Sequence, residues 1–257
     1  MSLLEVRNLT MQFGGLTAVN RFCLDLGENS IVGLIGPNGA GKTTVFNCLT
    51  GMYTPTDGDI YVNGQKVNTL KPSQITQLGL ARTFQNIRLF RDLTVFDNIR
   101  IAFHYQIRYG LLNTIFRFGG FAREEDNIKV RTDELLEIFS LYDYRNELAR
   151  NLPYGEQRRL EIARALAANP KVLLLDEPAA GMNPYETQAL TELIKWVKEE
   201  FALTVFLIEH DMRLVMGLCE RILVLDYGIT IAEGTPREVQ DNPAVIEAYL
   251  GEEALSC

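Results

Sequence analysis

Gly36-Pro37-Asn38-Gly39-Ala40-Gly41-Lys42-Thr43-Thr44 satisfies the phosphate-loop spacing: a glycine, four residues, then Gly-Lys-Thr. Glycines at such positions let successive backbone N–H groups turn inward as a cradle for an anion. Lys42 can then reach the β- and γ-phosphates, and the Thr43 hydroxyl can join the shell of a Mg²⁺ ion. The nine residues from Gly36 to Thr44 are therefore the candidate grip on a nucleoside triphosphate. A second set of chemically capable residues stands far downstream, where the apolar run Val172-Leu173-Leu174-Leu175 ends in Asp176-Glu177. Open α/β sheets bind ligands beyond the carboxyl ends of their strands. Asp176 is thus expected to hold Mg²⁺ through water, and Glu177 to polarise a water against the γ-phosphate.

These residues need strands and helices to place them. Ser30 to Ile35 reads as a buried strand and Val45 to Leu49 as a helix, the strand–loop–helix setting a phosphate loop requires. Leu4 to Met11 alternates at period two, and Ala18 to Leu26 follows as a second strand across the Gly14-Gly15 turn. Asp59 to Asn63 is a short strand ending at Asn63-Gly64, and Gly79 to Gln85 a further core strand. From Asp92 to about Arg150 the pattern turns helical and charge-rich. Strand-like runs then return at Val172–Leu175, Thr204–Ile208 and Arg221–Leu225, separated by helical stretches, so the sheet is expected to be mainly parallel.

Composition narrows the class. The chain has 257 residues, 47% of them hydrophobic and 23% charged, which suits a globular α/β domain with a smaller inserted lobe. A net charge of −8 argues against a dedicated nucleic-acid binder. Cys23, Cys48, Cys219 and Cys257 lack metal or dithiol spacing and read as reduced thiols. No signal peptide and no run of about 18 apolar residues is found, so any membrane role is expected to come through a partner.

Further motifs stand beside these two. They are Thr83-Phe84-Gln85, Leu152-Pro153-Tyr154-Gly155-Glu156-Gln157, Ala179-Ala180-Gly181-Met182-Asn183 and Ile208-Glu209-His210-Asp211. In order and spacing the chain is similar to the ATP-binding subunit of an ATP-binding-cassette (ABC) transporter, over nearly its whole length. The resemblance implies a phosphate-loop NTPase core with a mainly parallel sheet, an N-terminal antiparallel β-subdomain and an inserted α-helical subdomain. Residues 1–90 and 155–257 would form the core, and 91–154 the insertion carrying the signature segment.

It also implies roles. Phe13 matches the aromatic that stacks on adenine. Gln85 matches the glutamine that touches the Mg²⁺ shell, and His210 the switch histidine beside the γ-phosphate; His104 has no such match. The metal set is then Thr43, Gln85 and Asp176, and the catalytic set Lys42, Gln85, Glu177 and His210. Gly155 is carried over as the signature glycine that meets a partner's ATP. The signature itself departs from Leu-Ser-Gly-Gly-Gln, because Pro153 supplies neither a hydroxyl nor an N–H. A lost charge-assisted bond of roughly 1.5–3 kcal/mol would slow that composite site tenfold or more. An asymmetric pairing follows, with this chain's own Lys42, Glu177 and His210 served by another chain's signature.

Within the family, Gly79–Phe90, Leu175–Pro184 and Asn242–Gly251 resemble the larger ATPase subunit of bacterial branched-chain amino-acid importers, as does a long helical lobe between about Tyr105 and Arg123. That implies ATP and Mg²⁺ as ligands, two membrane permeases, a second, different ATP-binding subunit, an outlying solute-binding protein, and a peripheral place on the cytoplasmic face of the inner membrane. Urea and short-chain amide importers are close to this pattern. The rival is the homodimeric ATPase of lipopolysaccharide export, against which Pro153 counts.

Overall fold

A computed structural model describes residues 2–103 and 121–255. His104 and most of the Tyr105–Arg123 stretch lie outside the described residues, as does Cys257. In chain order come β1 (Leu4–Phe13), β2 (Leu16–Leu26), β3 (Ile31–Ile35), α1 (Lys42–Leu49), β4 (Asp57–Val62), β5 (Gln65–Lys66), α2 (Pro72–Gln77) and β6 (Leu80–Arg82). The helices α3 (Val95–Phe103), α4 (Phe121–Ile138) and α5 (Tyr154–Leu166) follow. The chain then runs through β7 (Val172–Asp176), α6 (Pro184–Glu200), β8 (Thr204–Ile208), α7 (Met212–Leu218), β9 (Arg221–Asp226), β10 (Ile229–Gly234), α8 (Pro236–Gln240) and α9 (Pro243–Leu255). None of the helices among the described residues is long and apolar enough to cross a membrane.

Two compact units result: Met1–Gln85 with Lys171–Cys257, and Asn86–Pro170. The second is wider than the 91–154 expected from sequence. The reason lies in α5, which packs on α3 and buries Leu160, Ile162 and Ala163. It therefore belongs with the helical unit. That unit also buries Val95, Ile99 and Leu136 from the apolar stripes of its helices, and Phe139 just past the end of α4.

In the first unit, alternating apolar residues make one face of β1 and its neighbours, giving an antiparallel sheet of order β2-β1-β4-β5. Leu4 pairs with Leu26 and Phe13 with Leu16, and the register slips between Val6 and Leu9. Asn8, at φ 50, absorbs that bulge.

The second sheet has the order β10-β9-β3-β8-β7-β6, with β9 to β6 parallel and β10 antiparallel at the edge. Every residue of β3, β7 and β8 is buried, as expected of parallel strands covered on both faces. Val45, Phe46 and Leu49 of α1 join both sheets in one core with Leu4, Phe22 and Ile60 on one side and Leu34, Leu174 and Leu223 on the other. Phe46 meets Phe206 of β8 with ring centroids 5.2 Å apart. The expected strand Gly79–Gln85 is shorter than its apolar pattern suggests. After Arg82 the chain leaves the sheet, keeping one bond from Thr83 N to Leu174 O (2.9 Å) before it reaches Gln85.

Candidate active site

Strand order decides what can meet. Along the sheet, β3, β8, β7 and β6 are consecutive neighbours and run parallel, so their carboxyl ends share one edge. The phosphate loop follows β3, His210 follows β8, Asp176 and Glu177 end β7, and Gln85 follows β6. Residues scattered over much of the sequence are thereby collected on one rim.

The loop leaves β3 at Gly36, with φ 147, and a Cβ there would lie 1.9 Å from the Leu225 carbonyl oxygen of β9. Glycine is the residue that permits this passage. Gly41, in the left-handed region at φ 104, opens α1. No side chain caps α1, and its first turn carries no acid. Three other helices of this unit differ: Asn183 accepts from Tyr185 N and Glu186 N, Asp211 from Arg213 N and Leu214 N, and Thr235 from Glu238 N. A helix N-terminus without a side-chain acceptor keeps donors and positive partial charge for an anion. Lys42 is 7% exposed and arches back over the loop, donating from Nζ to Gly36 O (2.6 Å) and Pro37 O (2.8 Å). Asn38, Gly39 and Thr43 are exposed, whereas Pro37 and Ala40 are buried and shape the loop.

Asp176 is buried, and its Oδ2 accepts from Arg82 Nη2 at 2.6 Å. Glu177 is a non-glycine residue at φ 46, a turn pinned by Glu177 N donating to Ile208 O (2.9 Å). Such strained backbone persists where the surroundings over-determine it. Here it turns the side chain to Gln85, whose Nε2 donates to Glu177 Oε2 at 2.7 Å. His210 brings Nδ1 to 3.8 Å from the same oxygen, and its side chain is 62% exposed. Gln85, Glu177 and His210 thus form one cluster.

Two further residues of the site have no role assigned by the sequence motifs. Arg82 is one. Glu209 is the other, buried and accepting from Ala179 N (2.9 Å), His210 N (3.1 Å) and Asp211 N (3.4 Å). Burial pushes its carboxyl above the ordinary range, and these N–H bonds oppose the push. The available signal is a charge embedded beside an apolar strand run in each case, which marks a paired residue but not its partner.

Phe13, at the end of β1, is 42% exposed and stands edge-on to Tyr53 with centroids 5.3 Å apart. Gly155 lies in the first turn of α5 in the helical unit, whose N-terminus is Pro153 with no side-chain cap. Tyr154 is exposed, and its hydroxyl accepts from Arg158 Nη2 at 3.4 Å.

Among the described residues no group of His, Cys, Asp and Glu is arranged to hold a metal by itself. The remaining donors are oxygens: the Thr43 hydroxyl, the Asp176 carboxylate and the Gln85 amide. That sparse, hard set fits Mg²⁺, which is usually bound by one or two carboxylates together with substrate phosphates.

Known proteins resemble this chain over most of its length. A family model described as ABC transporter matches residues 19–180, and one described as branched-chain amino acid ATP-binding cassette transporter matches residues 230–254. The chain is 50% identical over 250 residues to the high-affinity branched-chain amino acid transport ATP-binding protein LivG of Escherichia coli K12, covering 97% of this chain and 98% of that one. It is 36% identical over 253 residues to the lipopolysaccharide export system ATP-binding protein LptB of Haemophilus influenzae, covering 98% and 99%. The ADP conformation of MJ1267, an ATP-binding cassette of an ABC transporter, superposes with a TM-score of 0.84 at 28% identity, covering 98% of this chain and 100% of the other.

Proposed function

This chain belongs to the ABC transporter family, and from that premise we propose that it powers the import of branched-chain amino acids or similar small solutes. It binds a nucleotide and hydrolyses ATP. The observation that carries the reading at residue level is the uncapped start of α1 on the same sheet edge as a glutamate held by Gln85 and approached by His210. The substrate class rests on the similarity to LivG, at 50% identity against 36% for LptB. The work of this chain is done on ATP, and none of the roles below requires contact with the solute.

The roles are those the family resemblance implies, and the gathering of Gln85, Glu177 and His210 supports them. The loop N–H groups and Lys42 bind the phosphates, and Phe13 stacks on the adenine. Mg²⁺, when bound with ATP, neutralises charge on the β- and γ-phosphate oxygens. Thr43, Asp176 and Gln85 would hold it. Glu177 polarises the attacking water, and His210 orients that water and contacts the γ-phosphate. Gln85, whose Nε2 donates to Glu177 Oε2, touches the Mg²⁺ shell and relays the state of the nucleotide.

The partners are two membrane permeases and a second, different ATPase chain, with a solute-binding protein acting at a distance. The site on the membrane is its cytoplasmic face, held through the permeases. An unlike ATPase partner is favoured because α5 opens on Pro153, which offers neither hydroxyl nor N–H to a γ-phosphate across an interface.

The test is Glu177→Gln with excess ATP and Mg²⁺. We expect ATP binding to survive and hydrolysis to fall roughly 10²–10⁴-fold, the usual span for general-base loss. Light scattering should find the variant monomeric alone and closed into a dimer with its partner ATPase. A tight homodimer would overturn the unlike-partner reading, and unimpaired hydrolysis would remove Glu177 from its role.

A further inference from the structure

Arg82 ends β6 with its side chain only 5% exposed. Nη2 donates to Asp176 Oδ2 at 2.6 Å, and Nη1 to Asn47 Oδ1 at 2.8 Å with Thr50 Oγ1 at 3.3 Å. The guanidinium lies 5.4 Å from the Phe46 ring centre and 5.0 Å from that of Phe84. One planar fork therefore ties α1, the helix that opens from the phosphate loop, to the acid that ends β7.

Stability alone is a weak account of this arrangement. Desolvating two charges commonly costs as much as their attraction returns, and an apolar pair of the same volume often does as well. Geometry is a better account. The terminal torsion of an aspartate is broad, so a carboxylate with no fixed partner has no fixed plane. A bond to one oxygen sets that plane. Arg82 takes Oδ2 of Asp176 and leaves Oδ1 outside that bond. A lysine could not reproduce this, since its single ammonium has no rigid fork to span Asp176 and Asn47 together.

We propose that Arg82 is a positioning residue of the ATPase site: it fixes the Asp176 carboxylate through Oδ2 and sets it in register with α1 through Asn47 and Thr50, so that Asp176 meets the Mg²⁺ of bound ATP in one orientation. The proposal rests on the reading of Asp176 as a Mg²⁺-holding residue. Arg82 itself touches neither nucleotide nor metal.

The experiment titrates a fluorescent ATP analogue into the full chain, once in EDTA and once in excess Mg²⁺, with the thermal midpoint measured alongside. The readout is the ratio of the two affinities, which a purely structural tie would not move. Arg82→Met should lower that ratio roughly tenfold, as loss of a residue that orients a metal-holding carboxylate does elsewhere. Affinity in EDTA should persist, because the phosphate grip comes from α1 and Lys42. Arg82→Lys should restore the charge but little of the ratio. Asn47→Ala keeps the Arg82–Asp176 pair and should give an intermediate loss.

An unchanged ratio in Arg82→Met overturns the proposal. So does an equal fall of both affinities together with the thermal midpoint, which would make Arg82 a packing tie. Should Arg82→Met not fold, Arg82→Lys and Asn47→Ala carry the comparison, and wild-type ratios in both overturn it. Asp176→Asn separates the two levels: a wild-type ratio there refutes the Mg²⁺ reading of Asp176, and the role of Arg82 falls with it. A lowered ratio in Asp176→Asn with none in the Arg82 variants refutes Arg82 alone.

Discussion

Replacing Gly36 by alanine tests whether the phosphate loop is held by tertiary contact or only by its own sequence. A Cβ on Gly36 would stand 1.9 Å from Leu225 O, whereas real Cβ atoms stay beyond 3.0 Å, so loop or strand must move by about 1.1 Å. Leu225 is in the middle of the problem: β9 is paired to β3 on one side and to β10 on the other, with Leu225 itself opposite Thr230. The obstacle is backbone, and it cannot rotate away as a side-chain tip would. Overpacking of this kind costs about 1–3 kcal/mol, and the strained φ adds about 1–3 kcal/mol more. Gly39 is the internal control, at φ 78 with nothing within 4 Å of the place its Cβ would take. Gly39→Ala should cost only backbone strain, of order 1 kcal/mol. Urea unfolding of the two variants should therefore differ by roughly 1–5 kcal/mol, on the same two terms. The rate of ATP hydrolysis should separate in the same order, since misplacing reacting groups by about 1 Å costs on the order of 10²-fold. Equal destabilisation of the two variants would refute the reasoning, because it would mean that β9 yields without cost.

Three further outcomes follow from the same structure. Glu161→Ala removes the carboxylate that balances fully buried Arg158 (2.8 Å) and accepts from Arg88 N (3.2 Å), so it should destabilise the helical unit by about 3–5 kcal/mol in urea unfolding, and a loss under about 1 kcal/mol would refute the pairing. Glu209 has its carboxyl raised above 4.5, chiefly by burial, so the folded state holds its proton more tightly than the unfolded chain. Its contribution to stability is therefore full below the ordinary value and declines as pH rises through the folded one; unfolding midpoints of Glu209→Gln should lack that decline, and a wild-type advantage that grows with pH would contradict the burial. Cys48 and Cys219 are pushed up to about 12 by burial, whereas Cys23 is exposed. Alkylation at mildly alkaline pH should mark Cys23 in the native chain and the other two only after denaturation; labelling of native Cys219 would show that its thiol is not buried.

Much of the site is legible in the sequence because its signals are local. The Gly-Lys-Thr spacing, the apolar runs of β3, β7 and β8 and the acids at the end of β7 all act within a few residues of chain. Each is a statement about backbone conformation or burial that a short window contains. β5 and α2 leave no such signal, and β6 is shorter than its apolar run, because two- to six-residue elements carry too little periodicity to register. In sequence Arg82 is only a near neighbour of Gln85, and Glu209 of His210. Nothing adjacent to them says that one bonds a carboxylate 94 residues away, or that the other gathers an N–H 30 residues away.

The sequence by itself therefore determined the chemistry available: a phosphate-binding turn, two strand-end acids, a glutamine and a histidine, and a signature segment opening on proline. Tertiary structure decided which of these meet. The order β3-β8-β7-β6 puts loop, His210, Glu177 and Gln85 on one rim, and that order is set by pairing between strands distant in the chain. It also decided why Gly36 must be glycine, since the obstacle is Leu225 in β9, and which oxygen of Asp176 is taken. The physical reason is the same throughout: conformation and burial are encoded locally, whereas hydrogen-bond partners are fixed only when the sheet closes.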